Sequence, residues 1–169
     1  MLHKANIAGM TVDPASNTPI IILRLPENNQ AIPIWIGLFE ATAIASALQN
    51  IQFQRPMTHD LIKNLLLLLN ITVSSIEISD VLENTFYAKI NFTSMEKTFS
   101  IDARPSDAVA IALRFNAPIF VDDKVIKKTK SADSLKTDSA KIFDKNEEGE
   151  EWTEYLKNLS PEDFGKYKV

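Results

Sequence analysis

The chain has 169 residues, with 18 lysines and arginines against 22 acids, a formal charge of −4 and no cysteine. Its length suits one domain with an appendage and a sizeable core, and the missing cysteines exclude disulfides, thiolate metal sites and a cysteine nucleophile. The acidic balance argues against a dedicated, high-affinity nucleic-acid binder but leaves room for a local basic site. The first eleven residues lack a secretory-signal pattern, and no stretch reaches the roughly 18 apolar residues of a membrane span, so a cytoplasmic protein without membrane association is expected.

Residues 4–12 mix apolar and polar side chains in an extended pattern, and Asp13-Pro14-Ala15-Ser16-Asn17 is turn chemistry, which predicts a first hairpin. Residues 19–25 form an apolar run closed by Pro26-Glu27-Asn28-Asn29. Residues 31–36 give a third strand, read as buried on both faces, whose Pro33 points to an edge or a bulge. Gly37 ends it. Residues 38–48 then read as a helix, with Ala41, Ile44, Ala45 and Leu48 at core spacing and Glu40 bordering that face.

Arg55-Pro56-Met57-Thr58-His59-Asp60 leads into an apolar helix over 61–69, with Thr58 as the expected N-cap and His59 and Asp60 at the first two helical positions. Of the two histidines, His3 falls in a strand near the terminus. His59 is therefore the credible imidazole for acid–base chemistry near neutral pH. The leucine run 65–69 lacks heptads and reads as a helix buried on nearly every side.

Residues 71–78, 86–92 and 98–103 alternate as strands of a β-meander. It feeds the stretch 101–115, IDARPSDAVAIALRF. Pro105 suits the first helical position, Asp107 falls in the first turn, where free N–H groups favour a carboxylate, and Arg114 shares its face about two turns on. Asp102, Arg104, Ser106, Asp107 and Arg114 thus gather around one strand-to-helix corner. A short strand over 118–121 follows, and Asp122-Asp123 reads as the end of the compact body.

Moving the chain by 67 residues lays Ile34–Ala45 over Ile101–Ala112, with acid-Ala-x-Ala-Ile-Ala in both copies and Glu40 over Asp107. Such a repeat dictates architecture. The predicted fold class is α+β: internally duplicated β3-α repeats, about 1–50 and 71–117, packed around central helices with an intervening helix over 58–70. Residues 1–126 make this domain, 127–145 a lysine-rich polar linker, and 146–169 an acidic helical tail in which Trp152, Tyr155, Leu156 and Leu159 recur at helical spacing.

Glu40, Asp60, Asp102 and Asp107, with Arg55, Arg104, Arg114 and His59, supply carboxylates, guanidinium groups and one imidazole. Nucleotide-binding Gly loops and metalloprotease or nucleophile-elbow motifs are absent. Carboxylates with arginines suit phosphoester hydrolysis, in which paired acids hold Mg²⁺ or Mn²⁺ and arginines steady the phosphate. A metal-free variant would use His59 as the base.

Four motifs in order, Pro33-Ile34-Trp35-Ile36-Gly37 with Glu40-Ala41, Arg55-Pro56-Met57-Thr58-His59-Asp60, Phe86-Tyr87-Ala88, and Ile101-Asp102-Ala103-Arg104-Pro105-Ser106-Asp107-Ala108 with Arg114, resemble the bifunctional nuclease (BFN) domain family of bacteria and plants. The resemblance covers roughly 1–130. It implies cleavage of DNA and RNA, a duplicated β3-α fold, and self-association as a homo-oligomer, a dimer or trimer. Carried over, it makes Glu40, Asp102 and Asp107 metal ligands or water-activating acids, and His59 with Asp60 the proton-transfer pair. Arg55, Arg104 and Arg114 become phosphate clamps, with Thr58 and Ser106 beside them at the substrate.

Two rivals stand beside this reading. One is a non-enzymatic oligomeric interaction or regulatory module whose acid–arginine pairs latch helix starts, favoured by overall acidity and by the lack of an aromatic-and-basic stacking surface. The other is a metal-dependent hydrolase of a smaller phosphoester.

Overall fold

The computed structural model describes residues 1–95 and 97–133, with the element order β1 (Leu2–Asp13), β2 (Thr18–Arg24), β3 (Ala31–Trp35), α1 (Leu38–Leu48), α2 (Thr58–Leu68), β4 (Thr72–Leu82), β5 (Thr85–Ser94), β6 (Lys97–Ala103), α3 (Pro105–Phe115), β7 (Ile119–Asp122) and α4 (Asp123–Asp133). It is a mixed α+β fold. Three strands followed by a helix occur on each side of α2. The seven strands form one sheet in the order β3-β2-β1-β7-β4-β5-β6, so each antiparallel meander occupies one wing and β7 joins them, antiparallel to β1 and parallel to β4.

The junction rests on β1, which pairs with β7 through Leu2–Ala5 and with β2 from Asn6 onward, with a bulge between Ile7 and Gly9 that bends the strand between partners. Pro33 sits in β3, an edge strand, where a missing N–H costs no ladder bond to a further neighbour. β3 buries Ile32 and Ile34 but not Pro33 or Trp35, so it faces the core on one side and not on both. With only four glycines in the chain, asparagine takes the left-handed backbone positions: Asn17, Asn29, Asn50, Asn70, Asn84 and Asn116 all have φ between 52° and 62°. Glu83 and Asn84 share positive φ, the two-residue turn that matches strand twist between β4 and β5.

Helix α3 is the hub. It packs against α1, α2, β4 and β5, and Ala108, Val109, Ala110, Ile111 and Ala112 are all buried. Its alanines and Ala41 and Ala45 of α1 present little bulk, which lets the two helices lie close.

Three expectations are corrected. Asp122-Asp123 does not end the compact body, because α4 follows and buries Val125 and Ile126 in the same core, so the polar stretch from 127 begins inside a helix. The leucine run does not lie in a helix buried on nearly every side: α2 has no buried residue, and Leu61, Leu65 and Leu68 are 59%, 53% and 78% exposed. Only α3 and the body cover one side of α2, through partly buried Leu66. Finally, the N-cap of α2 is Met57, which makes Thr58 its first residue, His59 its second and Asp60 its third. The tail 146–169 and most of the expected linker lie outside the described residues. No helix among those residues is long and apolar enough to cross a membrane.

Candidate functional site

Glu40, Asp60 and Asp107 each occupy the third position of a helix, α1, α2 and α3 respectively. At that position the unsatisfied N–H groups and the positive end of the helix dipole hold a carboxylate favourably. Asp60 uses the site in full, accepting the N–H of Met57 at 3.0 Å. Asp107 instead turns outward to two side chains. Arg104, the N-cap residue of α3, donates to it through Nε at 2.7 Å and Nη2 at 3.2 Å, while its Nη1 reaches Glu40 at 2.7 Å. His59 Nε2 lies 3.1 Å from the other side of Asp107, at Oδ1. Glu40, Arg104, Asp107 and His59 therefore form one continuous polar chain drawn from three helix starts.

Protonation follows from these contacts. Burial by itself would raise the Asp107 carboxyl, but hydrogen bonds from Arg104 and His59 outweigh it and hold the group below the usual carboxylate range. Asp107 also fixes Arg104 more firmly as a cation. An ionised Asp107 only accepts, so Nε2 of His59 is the nitrogen that donates to it, and in the neutral imidazole the lone pair then lies on Nδ1. The His59 side chain is 12% exposed, and its contact with Asp107 is made through Nε2 and not Nδ1.

A second pair stands behind the first. Arg114, 7% exposed, donates through Nε to Asp60 at 2.5 Å and through Nη1 to the carbonyls of Ala43 and Ala110 at 3.1 and 3.0 Å. One guanidinium thus ties α1, α2 and α3 together. Burial pushes the Asp60 carboxyl up, but the Arg114 and Met57 hydrogen bonds bring it below its ordinary value.

The sequence-predicted residues therefore divide. Glu40, His59, Arg104 and Asp107 come together, with Ser106 buried one residue from Asp107. His59 pairs with Asp107, not Asp60, because Asp60 is held by Arg114. Arg114 serves as an internal tie, its donors turned to the protein. Asp102 is exposed on β6 opposite Lys89 in register, on the sheet face away from buried Ala88 and Ile90, so it does not join Glu40 and Asp107. Arg55 is exposed in the loop between α1 and α2, without an ion pair among the described residues, and Thr58 is exposed at the start of α2. The three-acid metal set consequently does not assemble. Glu40 and Asp107 flank a guanidinium, and no group of three potential ligands is gathered among the described residues.

Two features were not read from the sequence. Gly37 is one: a Cβ there would run into the Glu40 carboxylate, so glycine lets Glu40 fold back over the helix start while Arg104 stands at the corresponding cap of α3. The signal was visible as Gly37 over Arg104 in the repeat. The other is a cleft of about 490 Å³ between the β3–α1 and β6–α3 corners, lined among others by Trp35, Gly37, Phe86, Arg104 and Ser106. It opens beside the polar chain, with Arg104 belonging to both.

The sequence model described as the bifunctional nuclease domain matches residues 21–134. An uncharacterised protein of Mycobacterium tuberculosis is 36% identical over 164 residues, covering 96% of this chain and 98% of its own length. Bifunctional nuclease 1 of rice, Oryza sativa subsp. japonica, is 25% identical over 116 residues, 67% of this chain. Bifunctional nuclease 1 of Arabidopsis thaliana is 24% identical over 108 residues, 62% of this chain. The alignments span only 35% and 33% of those two plant proteins.

Proposed function

From the premise that this chain belongs to the bifunctional nuclease domain family, we propose that it is a nuclease hydrolysing phosphodiester bonds in both DNA and RNA. The observation that carries the reading is the His59–Asp107–Arg104 arrangement. Asp107 fixes the imidazole through Nε2–H, leaving Nδ1 to take a proton from an attacking water. Arg104 uses Nε and one hydrogen each of Nη1 and Nη2 on the two acids. Its remaining two N–H groups, on a residue 66% exposed, are free to hold a phosphate oxygen pair. Glu40 and Asp107 aim the guanidinium, and Arg55, exposed in the loop before α2, is read as a further cation for the substrate. The two β3-α units are read as copies of one ancestral unit, each lending a carboxylate at its helix start to Arg104, and the protein as cytoplasmic.

The test is cleavage of plasmid, single-stranded DNA and RNA by the purified chain and by Asp107→Asn, each with Mg²⁺, Mn²⁺ or EDTA. Loss of cleavage of both nucleic acids in the folded variant supports the proposal. Cleavage that survives the substitution refutes it, and the EDTA arm decides whether Mg²⁺ or Mn²⁺ is required.

The same reading includes a homo-oligomer, dimer or trimer. Leu61, Ile62, Leu65, Leu67, Leu68 and Leu69 leave on the order of 500 Å² of apolar surface on one short helix, more than half of the ~800 Å² each partner buries in a stable complex. A second copy of the same face is the self-complementary occupant. This surface also favours the rival reading of a non-enzymatic oligomeric module, which stable oligomers without turnover would support.

A further inference from the structure

We propose that the cleft beside Arg104 is a nucleobase subsite, in which Trp35 stacks on one base of a single-stranded nucleic acid while Arg104 holds the adjoining phosphate. The inference rests on the nuclease reading for its ligand class, and on the cleft itself for its geometry.

The cavity, about 490 Å³, falls within the range of pockets that enclose small organic ligands. Its walls are mostly apolar, Trp35, Phe86 and Pro105 among them, with Thr18, Asn84 and Thr85 supplying hydrogen-bonding groups. A flat aromatic ligand with polar edges matches such a lining better than an aliphatic or wholly polar one. Arg104 at one side fixes where an attached anion would sit.

Trp35 is set up as a platform. It ends edge strand β3, half exposed, on the side of that strand turned from the core. Its indole N–H donates to Asp13 Oδ2 at 3.2 Å, and Asp13 is itself fixed by the Ala15 N–H at 3.0 Å and the Ser16 hydroxyl at 2.9 Å. These contacts, the Ala15 bond first, hold the Asp13 carboxyl below its usual range, so the acceptor stays ionised. A ring pinned by its edge keeps its orientation, and a ring not buried keeps a face for stacking. Stacking on tryptophan is tolerant of base identity and of sugar type, which suits a site serving both DNA and RNA.

The experiment uses the 169-residue chain with Trp152→Phe, because Trp35 and Trp152 are its two tryptophans. Trp35 fluorescence is titrated in EDTA with a single-stranded phosphorothioate oligoadenylate and with an abasic oligomer of equal length and charge. Saturable quenching by the first, with about 10- to 100-fold weaker binding of the second, is expected. Anisotropy of the labelled oligoadenylate should show Trp35→Ala falling to the abasic affinity and Trp35→Phe keeping most of the parent's. Equal affinity for the two oligomers, or parental affinity in Trp35→Ala, overturns the subsite. Cleavage is scored separately: Trp35-dependent binding without cleavage refutes the nuclease reading alone, whereas cleavage by Trp35→Ala at the parental kcat/KM refutes the subsite alone.

Discussion

Replacing Arg114 by methionine keeps most of the methylene packing and removes the cation that joins three helices. The structure sets the size of the effect. Arg114 is 7% exposed, while the Asp60 side chain it leaves behind is 34% exposed and can be partly rehydrated. The carbonyls of Ala43 and Ala110 lie within helices and keep backbone partners, so they lose a second bond and not their only one. The loss should fall at or below the lower end for a broken buried pair, about 2–3 kcal/mol, a Tm drop of about 10 °C for a body of this size. Asp60→Leu in the same protein should recover part of it, since the unpaired carboxylate is gone while the Met57 N–H loses its acceptor. Thermal and urea unfolding followed by circular dichroism measure both. An Arg114→Met protein within about 0.5 kcal/mol of the parent would refute the reasoning, and would return Arg114 to the group of arginines free to contact a phosphate.

Three further outcomes follow from named contacts. Gly37→Ala should displace the flexible Glu40 carboxylate at a stability cost of about 1 kcal/mol or less, yet loosen Arg104 and weaken binding of a single-stranded oligonucleotide; unchanged affinity would show that Glu40 does not aim Arg104. His3, held between Glu27 at 2.9 Å and Asp123 at 2.6 Å, has a pKa raised above 6.5, first by Glu27 and then by Asp123. Its clamp therefore stabilises fully below pH 6.5 and fades as pH rises through the raised value, so an NMR titration midpoint at or below 6.5 would contradict it. If exposed Leu65 and Leu68 form the proposed contact between copies, Leu65→Glu with Leu68→Glu should lower the mass by light scattering to that of a monomer without unfolding the chain; a parent that is already monomeric, or an unchanged oligomeric mass, would refute that contact.

The helix starts were legible because their signals are local. Pro105 at the first position of α3 and an acid two residues later act through their own backbone, and the 67-residue repeat carried the same geometry to Gly37 and Glu40. The partner of His59 was not legible. Adjacency in sequence suggested Asp60, but at the second and third positions of a helix the two side chains point about 100° apart, and each found a partner on α3 instead. The leucine run misled for a related reason: composition says a surface is apolar and not whether this chain or another copy covers it. Asp102 and Asp107 looked like one cluster because they are five residues apart, whereas strand alternation sends Asp102 to the far face of the sheet. Trp35 gave no sign of lining a cleft, because the β4–β5 turn that forms its far wall comes about 50 residues later.

In the proposed reaction the imidazole of His59, aligned by Asp107, drives phosphodiester hydrolysis on both kinds of nucleic acid. Its most direct test is the cleavage rate of one single-stranded DNA and its RNA counterpart by folded His59→Gln protein, purified beside the parent. Both rates should fall about 10²- to 10⁴-fold, the usual contribution of a general base. Parental rates on both substrates would show that His59 is not the base.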